Sequence, residues 1–131
     1  MPQHPVEVIL TKQLASYLAM PIFLVDPGGN LLYYNEPAEH LLGCRFDETG
    51  EMDLAMWSEG FTPTDDNGEP MPREQVPLVI AVREQRPAHD SLWITGLDGV
   101  RRHIAVTAFP VLAQGGRILG AVALFWEDGT K

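Results

Sequence analysis

Residues 25–35 read VDPGGNLLYYN, and this stretch decides the fold. Its centre, Pro27-Gly28-Gly29-Asn30, predicts a tight turn, because glycine and asparagine tolerate positive φ angles. The apolar runs on either side, residues 22–25 and 31–34, carry the β-branched and aromatic side chains that strands favour. The chain is therefore predicted to form a hairpin of two short antiparallel strands.

The second strand of this hairpin leads directly into a helix. Asn35 has a side chain that caps helix N-termini, and Pro37 fits the first turn of a helix. Gly43 follows the apolar pair Leu41 and Leu42, which is the usual position of a glycine that ends a helix. We therefore expect a helix of about two turns that begins where the strand ends.

A longer helix is predicted ahead of the hairpin, over residues 6–19 (VEVILTKQLASYLA). Its apolar side chains recur at spacings of three and four residues, so they form one stripe. The helix ends before Pro21, because the residue that precedes a proline disfavours helical angles. We expect residues 1–19 to form a dimerisation helix, whose interface consists of Val6, Ile9, Leu10, Leu14, Tyr17 and Leu18.

The rest of the chain divides into a helical middle and a strand-rich end. An irregular apolar set in residues 44–61 predicts short helical turns, and the proline, glycine and aspartate of residues 62–72 predict a loop. A helix bounded by two prolines is expected over residues 76–85. Turns that contain glycine separate the remaining apolar runs, which predict strands over residues 91–95, 101–111 and 117–126.

The last predicted strand is apolar on both faces. Alternation places Ile118, Val122, Leu124 and Trp126 on one face, and Leu119, Ala121, Ala123 and Phe125 on the other. Neither face can remain in water along its whole length, so both need a cover. The short helices of the middle region are expected to cover one face. The N-terminal helix, or a partner's copy of it, is expected to cover the other.

Composition restricts the class of protein and its partners. The 131 residues are 45% hydrophobic, which suits a single globular domain with a substantial core. Eighteen acidic residues against nine basic ones give a net charge of −9. This charge opposes binding to nucleic acid or to an anionic membrane surface, so we expect neither partner.

The sequence also bears on the compartment. Cys44 is the only cysteine, so no intramolecular disulfide can form, and a reducing compartment is favoured. The N-terminus lacks the pattern of a signal peptide, and no apolar stretch approaches the roughly twenty residues that a membrane span needs. We therefore expect a cytoplasmic protein.

Three motifs resemble those of the PAS domain, the sensory module of many signalling proteins. Residues 25–43 are similar to the family's opening pattern D-x-x-G…N…LLG. Residues 71–93 give the second match, the proline-rich MPREQVPLVIAVREQRP that leads into SLW. The third, GRILGAVALFWEDGT at residues 116–130, resembles the final hairpin and the closing D-[IV]-T of the family. Pro37 and Gly129 depart from the alanine and the aliphatic residue that the family usually has.

The resemblance covers residues 15–130 and implies an α+β PAS fold over residues 20–131. In that fold a five-stranded antiparallel sheet of order 2-1-5-4-3 carries short helices on one face, around an internal pocket. The implied function is a non-enzymatic sensory or interaction module, for example in a two-component system, that dimerises and relays a signal through its last strand. The implied partner is an output domain such as a histidine kinase. The alternative is a PAS domain that binds a flavin, a haem or a metabolite in its pocket.

Alternation and helix phase predict which side chains point inwards. The expected inward set, which would line a ligand pocket, is Phe23, Val25, Tyr34, Leu42, Met56, Trp57, Ile80, Trp93, Ile104, Val106 and Phe125. Tyr34, Trp93 and Thr107 are the candidates for polar groups in such a pocket. The same set is equally consistent with a packed core that holds no ligand.

Flavin and haem sites each have a recognisable sequence signature. Flavin-binding photosensory relatives carry their cysteine in Asn-Cys-Arg-Phe-Leu-Gln, whereas Cys44 lies in LLGCRFDETG, one helical segment too early. Haem-binding relatives place a histidine on the longer helix, and residues 76–85 contain none. Metal-ligand spacing is missing among the scattered histidines, which are His4, His40, His89 and His103. Flavin, haem and metal are therefore disfavoured, and the identity of any cofactor stays open.

No motif of a catalytic site is present in the sequence. The acidic residues 65–69 lack the spacing of a calcium loop, and no P-loop, nucleophile elbow or dinucleotide motif occurs. Glu36 and Glu39 form a carboxylate pair, but on a helical turn that is expected to face water. An acid–base enzyme needs a buried ionisable group, and the inward set offers only Tyr34. We expect no enzymatic activity.

Overall fold

One antiparallel sheet forms the centre of the fold. In the computed structural model, which describes residues 6–128, the strands are β1 (Ile22–Val25), β2 (Leu31–Tyr34), β3 (Ala88–Thr95), β4 (Arg101–Leu112) and β5 (Ile118–Glu127). Their order across the sheet is β2-β1-β5-β4-β3, and every neighbouring pair is antiparallel. The predicted five-stranded sheet and its strand order are confirmed.

Within the described residues, the α-helices are α1 (Val6–Tyr17), α2 (Glu36–Leu42), α3 (Phe46–Thr49), α4 (Leu54–Gly60) and α5 (Pro77–Glu84). The helices α2 to α5 pack on the inner face of the sheet, and α1 lies on the outer face. No helix between residues 6 and 128 has the length and apolar character that crossing a bilayer requires. Residues 1–5 of the predicted dimerisation helix and residues 129–131, with the end of the closing motif, lie outside the described part.

The hairpin turn is organised by one carboxylate. Asp26 Oδ1 accepts hydrogen bonds from the backbone N–H groups of Gly28 at 2.9 Å and Asn30 at 3.0 Å. Gly29 has a φ angle of 87°, which a residue with a side chain rarely adopts. The Asn30 side chain accepts a hydrogen bond from the Leu54 N–H at 3.2 Å, so the turn also holds the start of α4. These contacts confirm the predicted turn.

Asn35 connects three parts of the chain. Its Oδ1 accepts hydrogen bonds from the N–H groups of Ala38 at 3.2 Å and Ile22 at 3.0 Å, so it caps α2 and holds the start of β1. Its Nδ2 donates to the carbonyls of Met20 at 2.9 Å and Leu18 at 3.4 Å. Asn35 is 1% exposed. The predicted helix cap is therefore also a buried link between the sheet and the segment that follows α1.

Two apolar layers stabilise the sheet, one on each face. The inner layer lies beneath α2, α4 and α5 and contains most of the buried side chains. The outer layer is smaller and consists of Val8, Ile22, Leu24, Leu32, Leu119 and Val122. Val8 therefore attaches α1 to the sheet, although it does not belong to the predicted apolar stripe. The residues of that stripe are exposed in the single chain.

A β-bulge in β5 changes which side chains share a face. The register between β4 and β5 shifts between Val111 and Leu112, and Leu119 is the extra residue in β5. Leu119 consequently lies in the outer layer with Val122. The prediction that Leu119 shares a face with Ala121 is wrong, because strict alternation does not continue through a bulge.

The strand β3 begins at Ala88 rather than at the predicted residue 91. His89 and Asp90 pair with residues of β4, although neither has a strong propensity for strands. Because β3 is an edge strand, polar side chains in it remain hydrated at little cost. Pairing with β4 therefore decides where β3 begins.

The turn between β3 and β4 and the beginning of β4 hold the C-terminal end of α2. The Leu97 N–H in the turn donates to the Leu42 carbonyl at 2.8 Å. The Arg102 guanidinium donates to the Leu41 carbonyl at 3.0 Å, and it lies 3.4 Å from the Asp98 carboxylate. This contact satisfies a carbonyl that the end of a helix leaves without a partner. The hydrogen bond from the Val100 N–H, and next the Arg102 guanidinium, hold the pKa of Asp98 below its usual value.

Candidate functional site

An apolar cavity of about 70 Å³ lies between the inner face of the sheet and the helical layer. The predicted inward residues that line it are Phe23, Leu42, Trp57, Ile104, Val106 and Phe125. Every other residue of its wall is also apolar. The indole N–H of Trp57 donates to the Gly29 carbonyl at 2.8 Å, so this polar group is already satisfied by the hairpin turn.

The aromatic side of the cavity is organised around Phe23 of β1. Its ring centroid lies 5.2 Å from that of Trp57, with an interplanar angle of 65°. The Phe61 centroid is 6.2 Å away, with an interplanar angle of 84°. Edge-to-face contacts of this kind are favourable beyond the area that they bury. Because Phe23 belongs to the sheet and its partners belong to α4 and its end, these contacts attach α4 to the sheet.

Other members of the predicted inward set lie away from the cavity. Val25 and Tyr34 are buried in the inner layer but do not form part of the cavity wall. Ile80 is half-buried. Met56 is 55% exposed, so its expected inward position is wrong. The helix α4 is short, and Trp57 rather than Met56 sets the side that it buries.

Trp93 lies on the outer face, so its expected inward position is also wrong. Leu92 and Ile94 are the residues of β3 that line the cavity, and alternation turns Trp93 to the opposite side. Thr107 is on the outer face as well, where its Oγ1 lies 3.2 Å from Nδ1 of His89. Neither Trp93 nor Thr107 supplies a polar group to the cavity.

Several wall residues were missed by the sequence interpretation. Phe61 and Pro63 come from an irregular segment after α4, where no periodicity separates inside from outside. Leu92 and Ile94 did have a partial signal, because each is next to one polar residue, Ser91 or Thr95, although Trp93 lies between them. The sequence interpretation instead turned Trp93 inwards because of its large apolar side chain, and this assigned Leu92 and Ile94 to the opposite face.

The cavity does not fit a flavin. Pockets for ligands of that size enclose about 300–1,000 Å³ and offer a few polar groups, whereas this cavity is smaller and its wall is apolar. Cys44 lies at the link between α2 and α3, where its carbonyl accepts a hydrogen bond from the Tyr34 hydroxyl at 2.9 Å. Cys44 is not part of the cavity wall, so its thiol is not placed to bond a ligand there.

A haem does not fit the cavity either. The wall contains no histidine, cysteine, methionine or tyrosine that could serve as an axial ligand. His40 lies on α2, His89 and His103 lie on the outer face, and His4 is outside the described residues. Between residues 6 and 128, no three histidine, cysteine or acidic side chains come together in a way that could bind a metal ion.

A second, open cleft of about 620 Å³ lies between α2 and α3. Tyr33, Tyr34 and Glu39 are among the residues that line it. Burial raises the pKa of Tyr34, and burial followed by the Glu39 carboxylate raises the pKa of Tyr33. Both phenols therefore stay protonated at neutral pH and do not act as general bases. Glu39 accepts a hydrogen bond from the Phe46 N–H at 2.9 Å, which gives it a structural role.

The exposed apolar surface of α1 is the other candidate site. This surface, the α1 stripe, consists of Val6, Ile9, Leu10, Leu14, Tyr17 and Leu18, all of which are exposed. Leu10 is 56% and Leu14 is 61% exposed. Leu14 and Leu18 also border a groove of about 370 Å³, whose walls include Val122 and Leu124 of β5. Apolar surface of this extent is typical of a site for protein interaction.

Comparison with known proteins gives the family of this chain. The family described as PAS fold matches residues 16–128. The chain therefore belongs to the PAS fold family. A search of curated protein sequences gives no significant match.

Solved structures have the same fold at low sequence identity. The PAS domain of BvgS from Bordetella pertussis has a TM-score of 0.63 and 17% identity, over 95% of this chain and 88% of that chain. The PAS domain of nitrogen regulation protein NR(II) from Vibrio parahaemolyticus has a TM-score of 0.63 and 18% identity, over 91% of this chain and 98% of that chain. The LOV protein of Rhodobacter sphaeroides has a TM-score of 0.75 and 12% identity, over 95% of this chain and 69% of that chain. At identities this low, the structural likeness shows the fold alone, and function must be argued from the sites.

Proposed function

We propose that this PAS domain is a non-enzymatic sensory module of a signal-transduction system, which dimerises and relays a signal through its last strand. The observation that carries the proposal is that β1 and β5 contribute to both candidate sites. Phe23 and Ala123 line the cavity, whereas Ile22 and Val122 belong to the outer layer beneath α1. Because these side chains alternate along the same strands, a change at the cavity displaces the backbone that supports α1.

The α1 stripe supports a homodimer in this proposal. A second copy presents the same stripe, and two identical apolar surfaces complement each other across a two-fold axis. Burial of a large exposed side chain such as Leu10 or Leu14 stabilises such a contact by about 1.5–3 kcal/mol. The groove beside Leu14 and Leu18 gives the partner's apolar side chains a place to enter.

Replacing both Leu10 and Leu14 with glutamate should convert the dimer into a monomer. Charged side chains at these positions oppose burial of the α1 stripe and repel each other across the two-fold axis. The molar mass from size-exclusion chromatography with light scattering should fall to that of one chain, 14.5 kDa.

Val100→Glu is the matched control for this experiment. Val100 is an exposed apolar residue in the turn between β3 and β4, so it tests the effect of a new charge away from α1. The control should keep the mass of the wild type. An unchanged mass in the double variant would remove the dimer from the proposal.

The proposed partner is an output domain, such as a histidine kinase, in the same protein or in another one. BvgS and the nitrogen regulation protein NR(II) share the fold, and the name of the second supports a regulatory role. We expect the signal to pass through β5, since this strand contributes to both apolar layers. We place the module in the cytoplasm, in agreement with its single cysteine.

The cavity supports a second candidate function, which is the binding of a small ligand. Its apolar wall opposes the burial of charged or strongly polar groups, because nothing in the wall can form hydrogen bonds with them. Its volume of about 70 Å³ is too small for a flavin or a haem. The ligand class that fits is an uncharged apolar molecule of a few heavy atoms.

Ala123→Val should prevent a ligand from binding in the cavity. Ala123 of β5 is part of the wall, and the two added methyl groups of valine project into the cavity. An organic extract of the purified variant, analysed by gas chromatography with mass spectrometry, should contain about tenfold less of the compound than the wild-type extract. Ala105→Val is the control, because Ala105 pairs with the outward-facing Trp126. Equal amounts in wild type and Ala123→Val would contradict ligand binding at this site.

A further inference from the structure

His103 of β4 lies between two carboxylates on the outer face of the sheet. Its Nδ1 is 3.5 Å from Asp128 Oδ2, and its Nε2 is 3.9 Å from Asp66 Oδ1. The side chains of His103 and Asp128 are 18% and 29% exposed, so water screens their contact only partly. The Asp66 side chain is 87% exposed, so water screens its contact with the imidazole more strongly. Asp128 follows β5, and its N–H donates to the His103 carbonyl at 2.8 Å. Two segments that are distant in the chain therefore meet at one imidazole.

Asp66 belongs to a segment that passes along the edge of the sheet beside β3. We name residues 61–66 the edge strap. Thr64 in this strap exchanges two backbone hydrogen bonds with Trp93 of β3, at 2.8 and 2.9 Å. Phe61 and Pro63, at the beginning of the strap, line the cavity. The edge strap thus runs from the cavity wall to His103.

Trp93 contacts both the imidazole and the edge strap. Its ring centroid lies 4.8 Å from that of His103, and its indole N–H donates to Asp66 Oδ1 at 3.1 Å. The guanidinium carbon of Arg101 lies 4.0 Å from the Trp93 ring centroid. Between residues 6 and 128, the charged groups that contact the imidazole or its ring partner are Asp66 from the strap, Asp128 after β5 and, next to Trp93, Arg101 of β4.

The protonation state of His103 decides whether its imidazole can donate to one or to both of the carboxylates of Asp66 and Asp128. A neutral imidazole has one N–H donor, so it donates to one carboxylate, whereas a protonated imidazole has two donors and a positive charge. We propose that His103 is a proton-dependent clamp, which holds Asp66 and Asp128 together when it is protonated and releases one of them when it is neutral.

The clamp adds a regulatory input that goes beyond the proposed sensory function. The edge strap forms part of the cavity wall, and Asp128 lies at the end of β5, through which we expect the signal to pass. Protonation of His103 therefore ties the cavity wall to the end of that strand. All the groups involved belong to one chain, so the clamp and the dimer can be tested separately.

Amide hydrogen exchange measured by NMR tests the clamp in the full chain. After correction for intrinsic exchange, the protection factor of the Thr64 amide should be about threefold higher at about pH 5.5 than at about pH 8. His103→Gln keeps a side chain that forms hydrogen bonds but does not titrate, so its Thr64 protection should be equal at both pH values. We call the higher Thr64 protection at about pH 5.5 the pH-dependent gain. A pH-dependent gain that survives in His103→Gln, or its absence in the wild type, would overturn the proposal.

Asp66→Asn tests the clamp from the side of the strap. The amide oxygen of the introduced asparagine still accepts a hydrogen bond from the Trp93 indole N–H, but the negative charge that attracts the imidazolium is gone. The gain at Thr64 should disappear in this variant, and its persistence would contradict the clamp. His89→Gln changes another imidazole of the outer face and should leave the pH-dependent gain in Thr64 protection intact. Loss of the gain in His89→Gln would assign the effect to His89 and overturn the clamp at His103.

Discussion

Replacing Gly120 with alanine should destabilise the protein by more than about 3 kcal/mol. Gly120 has a φ angle of 151°, which residues with a side chain rarely adopt. A Cβ at this position would also collide with the carbonyl oxygen of Val25 in β1. This carbonyl has little room to move, because β1 lies between β2 and β5 in the sheet. Urea denaturation followed by circular dichroism measures the free energy of unfolding.

Gly99→Ala is the control for a glycine with a positive φ angle and no collision. Gly99 has a φ angle of 80°, and an added Cβ there would meet open space. The control therefore carries the cost of a positive φ angle near 80° without the collision and should lose about 1–2 kcal/mol. If the two variants lose the same free energy, the close approach of β1 and β5 is not the reason for the glycine in the bulge.

Asn35→Ala should lower the free energy of unfolding by about 3 kcal/mol. Loss of a helix cap alone costs about 1 kcal/mol. The substitution also leaves the Ile22 N–H and the Met20 carbonyl without the hydrogen bonds that the Asn35 side chain provides. Because the Ile22 N–H is buried, its loss of a partner adds about 1–3 kcal/mol, and the part-buried Met20 carbonyl adds less. Urea denaturation measures this effect as well.

Asn67→Ala is the control for the buried asparagine. Asn67 lies exposed in a turn, and its substitution should change the stability by less than about 0.5 kcal/mol. A loss in Asn35→Ala no larger than in this control would show that the buried cap does not hold the segment after α1 to the sheet.

Sequence reasoning was most successful around residues 25–35. Asp26 organises the hairpin turn through contacts with Gly28 and Asn30, and Asn35 caps α2 through Ala38. Each of these contacts joins residues at most four positions apart. Local residue types are sufficient to predict such contacts, because their geometry depends little on the rest of the chain.

The candidate site was only partly predictable, and Trp93 illustrates the reason. Alternation along β3 was readable, but the sequence did not reveal which phase faces the helices. The edge strap covers Trp93 on the outer face, where Asp66 accepts its indole hydrogen bond. A large aromatic side chain is therefore accommodated away from the inner layer. Leu119 changes sides for a related reason, since the bulge at Gly120 interrupts the alternation of β5.

By itself, the sequence determined the order of the helices and strands, the antiparallel hairpins and the family to which they belong. The order of elements and the hairpins follow from side-chain periodicity, turn chemistry and short-range caps, all of which act between near neighbours. The family follows from the three motifs that resemble it. Only the tertiary structure decided which faces of β3 and β5 form the cavity wall, how large the cavity is, and that Asp66, His103 and Asp128 meet. These features depend on a bulge and on contacts between distant segments, so no local pattern contains them.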